Sequence, residues 1–313
     1  MSLSRDFAAF VANLRYGDLP EAVVDRAKGV TLQALSSALL GSQMPASRQA
    51  LALIQEEEAG GGGAATVLCH GAKLTKAGAA FVNAETIFAG GKWDTFRMLT
   101  HPGIAILPAA LSAAETSGCS GRDFLTGIAA GYEVMERMAA EFIPTVMSRG
   151  FHAGPVFGIF GAAIAAAKIG GLDAEQVNGA IAQCVNLASG NLEGGRSGGR
   201  ALREGGAVRN ALLAVALAKH GTPAARPRSK AKPAFTIPMP ATISASCAIA
   251  SPATIAPICR RLPPASAVTG CFSKRCTGSI RPPATTSRMS MSWRASAKST
   301  TFVTSRSSAS RRS

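Results

Sequence analysis

Residues 153–167 read AGPVFGIFGAAIAAA, the longest apolar stretch of the chain. A helix that crosses a bilayer needs about 20 apolar residues, so this shorter run reads as a helix buried inside a protein core. Most of its side chains are Gly or Ala. Small side chains let helix backbones approach closely, and the segments on either side carry the same small-residue faces.

Working outward, residues 1–220 give helix after helix. In SRDFAAFVANLRY, Phe7, Phe10, Val11 and Leu14 share one face, and Ser4 stands where a cap belongs. Pro20 opens EAVVDRAKGVTLQALSSALLG, where Val23, Val24, Ala27, Val30, Ala34 and Ala38 keep a 3.6-residue period up to Gly41. ASRQALALIQEEE, TKAGAAFVNAETIFAG, PAALSAAETSG from Pro108, and SGRDFLTGIAAGYEVMERMAAEF continue the series. In the last of these Ser120 caps and Asp123 sits in the first turn. DAEQVNGAIAQCVNLASG and GGAVRNALLAVALAKHG follow, and ATVLCHG is a short strand or an extended link. The fold class expected is mainly α.

The composition changes after Lys219-His220-Gly221. Residues 1–220 hold 18 of the 33 Lys+Arg and all 18 Asp+Glu, so that part is neutral. Residues 221–313 hold 15 bases, no acid, 17 Ser and 11 of the 17 Pro, so the whole +15 belongs to them. The expected domains are therefore a helical 1–220 and a Ser/Pro/Arg-rich, unstructured 221–313. A shifted reading frame from about 221–229 accounts for the missing acids. Allowed codons for SKAKPAFTIPMPATIS (229–244), read two bases later, can give QGEAGFHHSHAGNNQ. The same offset applied to 272–293 also restores acids and tyrosines.

No CxxC pair and no Cys/His spacing suited to zinc occurs among the seven cysteines. An unpaired set fits a reducing, cytoplasmic setting. No metal, cofactor or membrane partner is expected.

Chemistry concentrates in GKWDTFRMLTHPG (91–103), which gathers Asp94, Thr95 and His101. Taken alone, Asp94-Thr95 reads as a turn cap and His101 as a loop histidine. The ordered motifs in WDTFRMLTHPGIAILPAALSAAETSGCSGRDFLTGIAAGYEVMERM (93–138) resemble the MmgE/PrpD family of 2-methylcitrate dehydratase and cis-aconitate decarboxylase. RGFHAGPVFGIFGAAIAAAKIGGLDAEQ and ALREGGAVRNALLAVALAKHG are similar to the family's next segments, and the resemblance spans about residues 5–221.

The resemblance implies an all-helical main domain, a smaller α+β lid, a homodimer, and elimination or decarboxylation on a small polycarboxylate without an iron–sulfur cluster. It implies His101, His152 and Asp94 as catalytic residues, with Thr95, Arg200 and Arg203 binding substrate. Such chemistry needs a base for a carbon acid, an acid for the leaving hydroxyl, and cations for carboxylates. Histidine can serve either proton role near neutral pH. Arg200 stands where members often have Lys, and Arg203 where many have His.

Gly91 and Trp93 depart from the family's D-x-D-D-T run, and the tail resembles nothing of the lid. The function expected is a 2-methylcitrate dehydratase-like lyase, impaired by loss of that lid. The alternative is a non-catalytic helical protein whose basic tail binds nucleic acid. The tail lacks a recognisable module, so only nonspecific nucleic-acid retention is expected of it.

Overall fold

The computed structural model describes residues 3–59, 62–97, 100–192 and 200–224, with the side chains of Arg200 and Ala201 outside the description. The basic segment 225–313, and the expectation that it is unstructured, lies outside the described residues. The helices are α1 (Leu3–Asn13), α2 (Glu21–Gly41), α3 (Pro45–Glu57), α4 (Lys76–Gly90), α5 (Pro102–Ser117), α6 (Gly121–Ala139), α7 (Ile143–Ser148), α8 (Ala153–Ile169), α9 (Ala174–Leu187) and α10 (Arg200–Lys219). The mainly α fold class is thus observed. ATVLCHG contributes β1 (Ala65–Thr66), which pairs antiparallel with β2 (Lys73–Leu74) in the register Ala65↔Leu74.

The apolar stretch becomes α8, the centre of the bundle, packed against α5, α6, α9 and α10. Every α8 residue is buried except Lys168, whose ammonium donates to the Ala12 carbonyl at 3.1 Å. Glycines set how near its neighbours come. A Cβ at Gly131 of α6 would lie 2.7 Å from the Gly161 carbonyl oxygen of α8, and one at Gly158 would lie 2.9 Å from Ala105 of α5.

The same contacts fix the directions. α5 ends on Gly118 (φ 63°), and Ser120 caps α6 in a reciprocal pair with Asp123. With only these few residues between them, α6 runs back along α5. Gly127 of α6 faces Ile169 of α8, whereas Met135 faces Gly161, so α8 is antiparallel to α6. Helices α5 and α8 are therefore parallel and begin at the same end of the bundle.

Helix α5 starts six residues earlier than the sequence suggests. Pro102 occupies the first helical position, and Pro108 lies inside the helix, buried. Proline removes its own hydrogen bond to the carbonyl four residues back and crowds that carbonyl with its ring. The small-residue packing around α5 retains the helix through that gap.

Helices α2 and α4 cross backbone to backbone. Gly41 packs on the Thr86 carbonyl and Gly90 on the Ser37 carbonyl, with no room for a Cβ at either glycine. The Ser37 hydroxyl donates to the Ile87 carbonyl at 2.8 Å across the crossing. Gly29, on the same helix, faces open space.

Gly41→Ala should therefore lower stability by about 3 kcal/mol through forced separation of the two backbones. Gly29→Ala should raise it by about 0.5–1 kcal/mol through loss of backbone freedom in the unfolded chain. Urea melts of the two variants check the opposite signs.

Candidate active site

Gly91 (φ 71°) ends α4, and the chain turns back on that helix before α5 begins. The Trp93 ring stacks on Phe88 with centroids 5.0 Å apart, and its indole N–H donates to the Phe88 carbonyl at 3.0 Å. Beside it lies the His101 ring, 4.7 Å away and tilted by 52°. The Phe96 N–H donates to the Thr100 carbonyl at 2.9 Å, closing the turn that delivers His101 to the N-cap of α5.

His101 Nδ1 lies 2.8 Å from the Asp94 carbonyl oxygen and 3.3 Å from Thr95 Oγ1. A carbonyl only accepts, so Nδ1 carries the proton and Nε2 is the basic nitrogen. That tautomer is assigned from the hydrogen-bond network. The backbone of Asp94, rather than its carboxylate, thus holds the imidazole.

The Asp94 carboxylate has a different task. Both its oxygens accept from Gly103 N–H at 3.0 Å, and Oδ2 accepts from the Tyr132 hydroxyl at 2.7 Å. It sits on the positive end of α5, where an anion is favoured. The residue is only half-buried, yet its carboxylate is enclosed. Burial pushes its pKa above the ordinary carboxylate value, against the pull of Tyr132, His101 and Gly103. Thr95 is exposed beside it.

His152 heads the parallel helix α8. Its Nδ1 accepts from Gly154 N–H at 3.1 Å, so in the neutral ring Nδ1 holds the lone pair and Nε2 the proton. His152 N–H donates to the Gly190 carbonyl at 3.0 Å, and Leu192 N–H to the Gly150 carbonyl at 2.7 Å, which ties the 190–192 segment to the start of α8. Two half-buried imidazoles therefore stand at the same end of the bundle in opposite tautomers.

Arg203 on α10 completes the second group. Its guanidinium donates to the Asn191 carbonyl at 3.1 Å and lies 3.6 Å from Glu204, with the side chain 7% exposed. Arg200 begins α10, and its side chain is not among those described. Asp94, Thr95 and His101 thus touch one another, whereas His152 and Arg203 meet through Glu204.

Sequence reasoning passed over Trp93 as a support, Tyr132 as a donor, and the acids Glu85 and Glu204. Glu85 alone left a signal: it is the single acid of α4, a helix made mostly of apolar and small residues. It is 1% exposed, and its Oε1 accepts from Gly205 N–H at 2.6 Å. Desolvation raises its pKa to about 8, the Glu204 charge adds to the rise, and Gly205 N–H and Arg203 oppose it.

The family model of the MmgE/PrpD N-terminal domain matches residues 5–236. The chain belongs to the MmgE/PrpD family. Among its curated relatives, the cis-aconitate decarboxylase-like protein oryM of Aspergillus oryzae is 30% identical over 231 residues, covering 70% of this chain and 47% of that protein. The cis-aconitate decarboxylase of Homo sapiens is 28% identical over 229 residues, again 70% of this chain and 47% of the relative. The cis-aconitate decarboxylase of Aspergillus terreus is 28% identical over 228 residues, 70% of this chain and 46% of its own. The chain spans about half the length of the curated relatives it matches. No helix among the described residues is long and apolar enough to cross a membrane.

Glu85 makes stability depend on pH in a defined sense. Its folded pKa of about 8 lies above the ordinary value of 4.5, so the unfolded chain loses this proton first. Stability is full below about 4.5 and falls as pH rises through about 8. Glu85→Gln keeps an oxygen for Gly205 and removes the titration. Denaturant melts should show the variant more stable than the parent at pH 8, by on the order of 3 kcal/mol, with the gap closing at pH 4.5.

Proposed function

We propose that residues 1–220 form the catalytic domain of a lyase acting on a small polycarboxylate, with 2-methylcitrate dehydratase-like elimination as its chemistry. The supporting observation is the pair of imidazoles in opposite tautomers at one end of the bundle. His101 presents a basic Nε2 and abstracts the proton from carbon. His152, once protonated, donates from Nε2 to the departing hydroxyl. The electron pair of the C–H bond becomes the new C=C bond, and the hydroxyl leaves as water. The C–O bond breaks with its electron pair on oxygen, the proton from carbon ends on His101, and the proton from His152 ends in the departing water.

Asp94 fixes the start of α5 and, through its carbonyl, the His101 ring. We assign substrate carboxylate binding to Thr95 and Arg200, with Arg203 supplying positive charge from behind the 190–192 segment. No cofactor is assigned. The relatives named as cis-aconitate decarboxylases favour a second chemistry in the same site. In that case carbon dioxide leaves and a single proton returns to carbon, for which one acid suffices.

We further propose a cytoplasmic homodimer in which residues 221–313 are read out of frame. The family match ends at 236, inside the segment where acids disappear. A contact between copies would use the exposed leucines of α2, Leu32, Leu35 and Leu39, which share one face.

Two measurements test these assignments. The purified chain and a version with the downstream frame restored are assayed on 2-methylcitrate and cis-aconitate. The restored protein should turn over one of them, the present chain far less. His101→Ala and His152→Ala should each lower kcat of the restored protein by about 100-fold or more. Turnover of neither compound by the restored protein refutes the lyase reading, and full turnover by the present chain refutes the impairment. Sedimentation of the chain should give twice the monomer mass, and Leu39→Glu should return it to monomer.

A further inference from the structure

The elimination assigned above needs a protonated His152, yet the structure shows how its neutral form is held. Nδ1 uses its lone pair to cap α8 through Gly154 N–H. Adding a proton there breaks the cap and sets a positive charge against the positive end of a helix, two effects that oppose protonation. A histidine in this position stays neutral unless something nearby stabilises its charge.

Glu204 supplies that charge. Its Oε1 is 3.9 Å from His152 Nδ1, the same nitrogen that caps the helix, and the carboxylate is 3% exposed. A Cβ on Gly154 would lie 3.4 Å from the same oxygen, so Glu204 lies close to the first turn of α8. We propose that Glu204 is the positioning residue of His152: its carboxylate takes over Nδ1–H when the ring is protonated, which turns a helix cap into a proton carrier. This deepens the assignment of His152 as the acid.

A cation adjoins Glu204. Arg203 Nε lies 3.6 Å from its Oε1. Glu85, on α4, adjoins it across Gly205 N–H, with Oε2 unpaired among the described residues. Two adjacent buried carboxylates do not both ionise readily. With a pKa raised to about 8, Glu85 keeps its proton at neutral pH and adds no second negative charge beside Glu204. Among the described residues, the charged groups about His152 include Glu204 and Arg203 from α10, with neutral Glu85 from α4 behind them and the N-terminal dipole of α8 itself.

The residue bears no sign of a simple surface charge. It occupies a helix of the small-residue bundle, where an acid is costly unless paired. Its partners among the described contacts include a histidine and an arginine that both reach the 190–192 segment.

The test reads the imidazole directly and requires no turnover, so it stands apart from the lyase assay. The chain has four histidines, and His152→Ala assigns the relevant nitrogen signals in a 15N-imidazole NMR titration of the full chain. In the parent, Nδ1 should carry the lone pair at high pH. On acidification it should acquire a proton protected from exchange. Glu204→Gln should lower the pKa of His152 by about one unit, a tenfold loss of proton affinity. Glu204→Asp should recover part of that shift, with the His101 titration unmoved in both variants. An unchanged His152 pKa in Glu204→Gln overturns the proposal. So does a parent His152 that carries its high-pH proton on Nδ1, a result that depends on no variant. In the frame-restored protein, Glu204→Gln should lower kcat more than it changes KM and move the pH limb that His152 sets. If that protein is inactive while the titration shifts as expected, the lyase reading fails and the pairing of Glu204 with His152 stands.

Discussion

The distance between helix backbones along α8 governs this molecule. Gly131 packs against the Gly161 carbonyl and Gly158 against Ala105, so α5, α6 and α8 lie closer than ordinary side chains would permit. Close packing of this kind leaves little room for a helix to slide or rotate, because a shift of one residue would drive a methyl group into a carbonyl. The direction of α5 relative to α8 is thereby fixed, and with it the placement of both imidazoles at one end. The chemistry-bearing residues sit on helix starts and short loops, but the interior contacts set their positions.

Helix termini also decide the state of those imidazoles. His101 and His152 occupy equivalent positions, each one residue before its helix, yet their partners differ. A carbonyl oxygen faces Nδ1 of the first and a backbone N–H faces Nδ1 of the second. One contact requires a proton on Nδ1 and the other excludes it. Two identical side chains thereby present a bare Nε2 in one case and an Nε2–H in the other, with no difference in residue type. Asp94 serves the first from two sides: its carbonyl sets the tautomer, and its carboxylate anchors the helix start through Gly103 and Tyr132. Trp93 supports the same ring by contact.

Acids inside a small-residue bundle call for a reason. Glu85 and Glu204 lie on different helices but share the Gly205 peptide and the Arg203 guanidinium. Their nearness lets one hold a proton while the other holds a charge. A burden on folding at Glu85 thus accompanies a defined charge beside His152.

The sequence by itself determined the class of fold and most of its segments. The 3.6-residue period, the Ser120–Asp123 cap and the Gly41 terminus are local features, set by side chains within a turn or two of one another. The change in composition near residue 221 and the family motifs are equally local. Tertiary structure decided what local rules cannot reach. Packing carries α5 through Pro108, so the helix begins at Pro102 and places His101 at its cap. It gives the Asp94 carboxylate to Gly103 and Tyr132, and turns Arg203 toward Asn191 and Glu204. It makes a cluster of Glu85 and Glu204, which are 119 positions apart. Whether a charged side chain faces water or another buried charge depends on which helices meet, and that is settled only when the backbones come together.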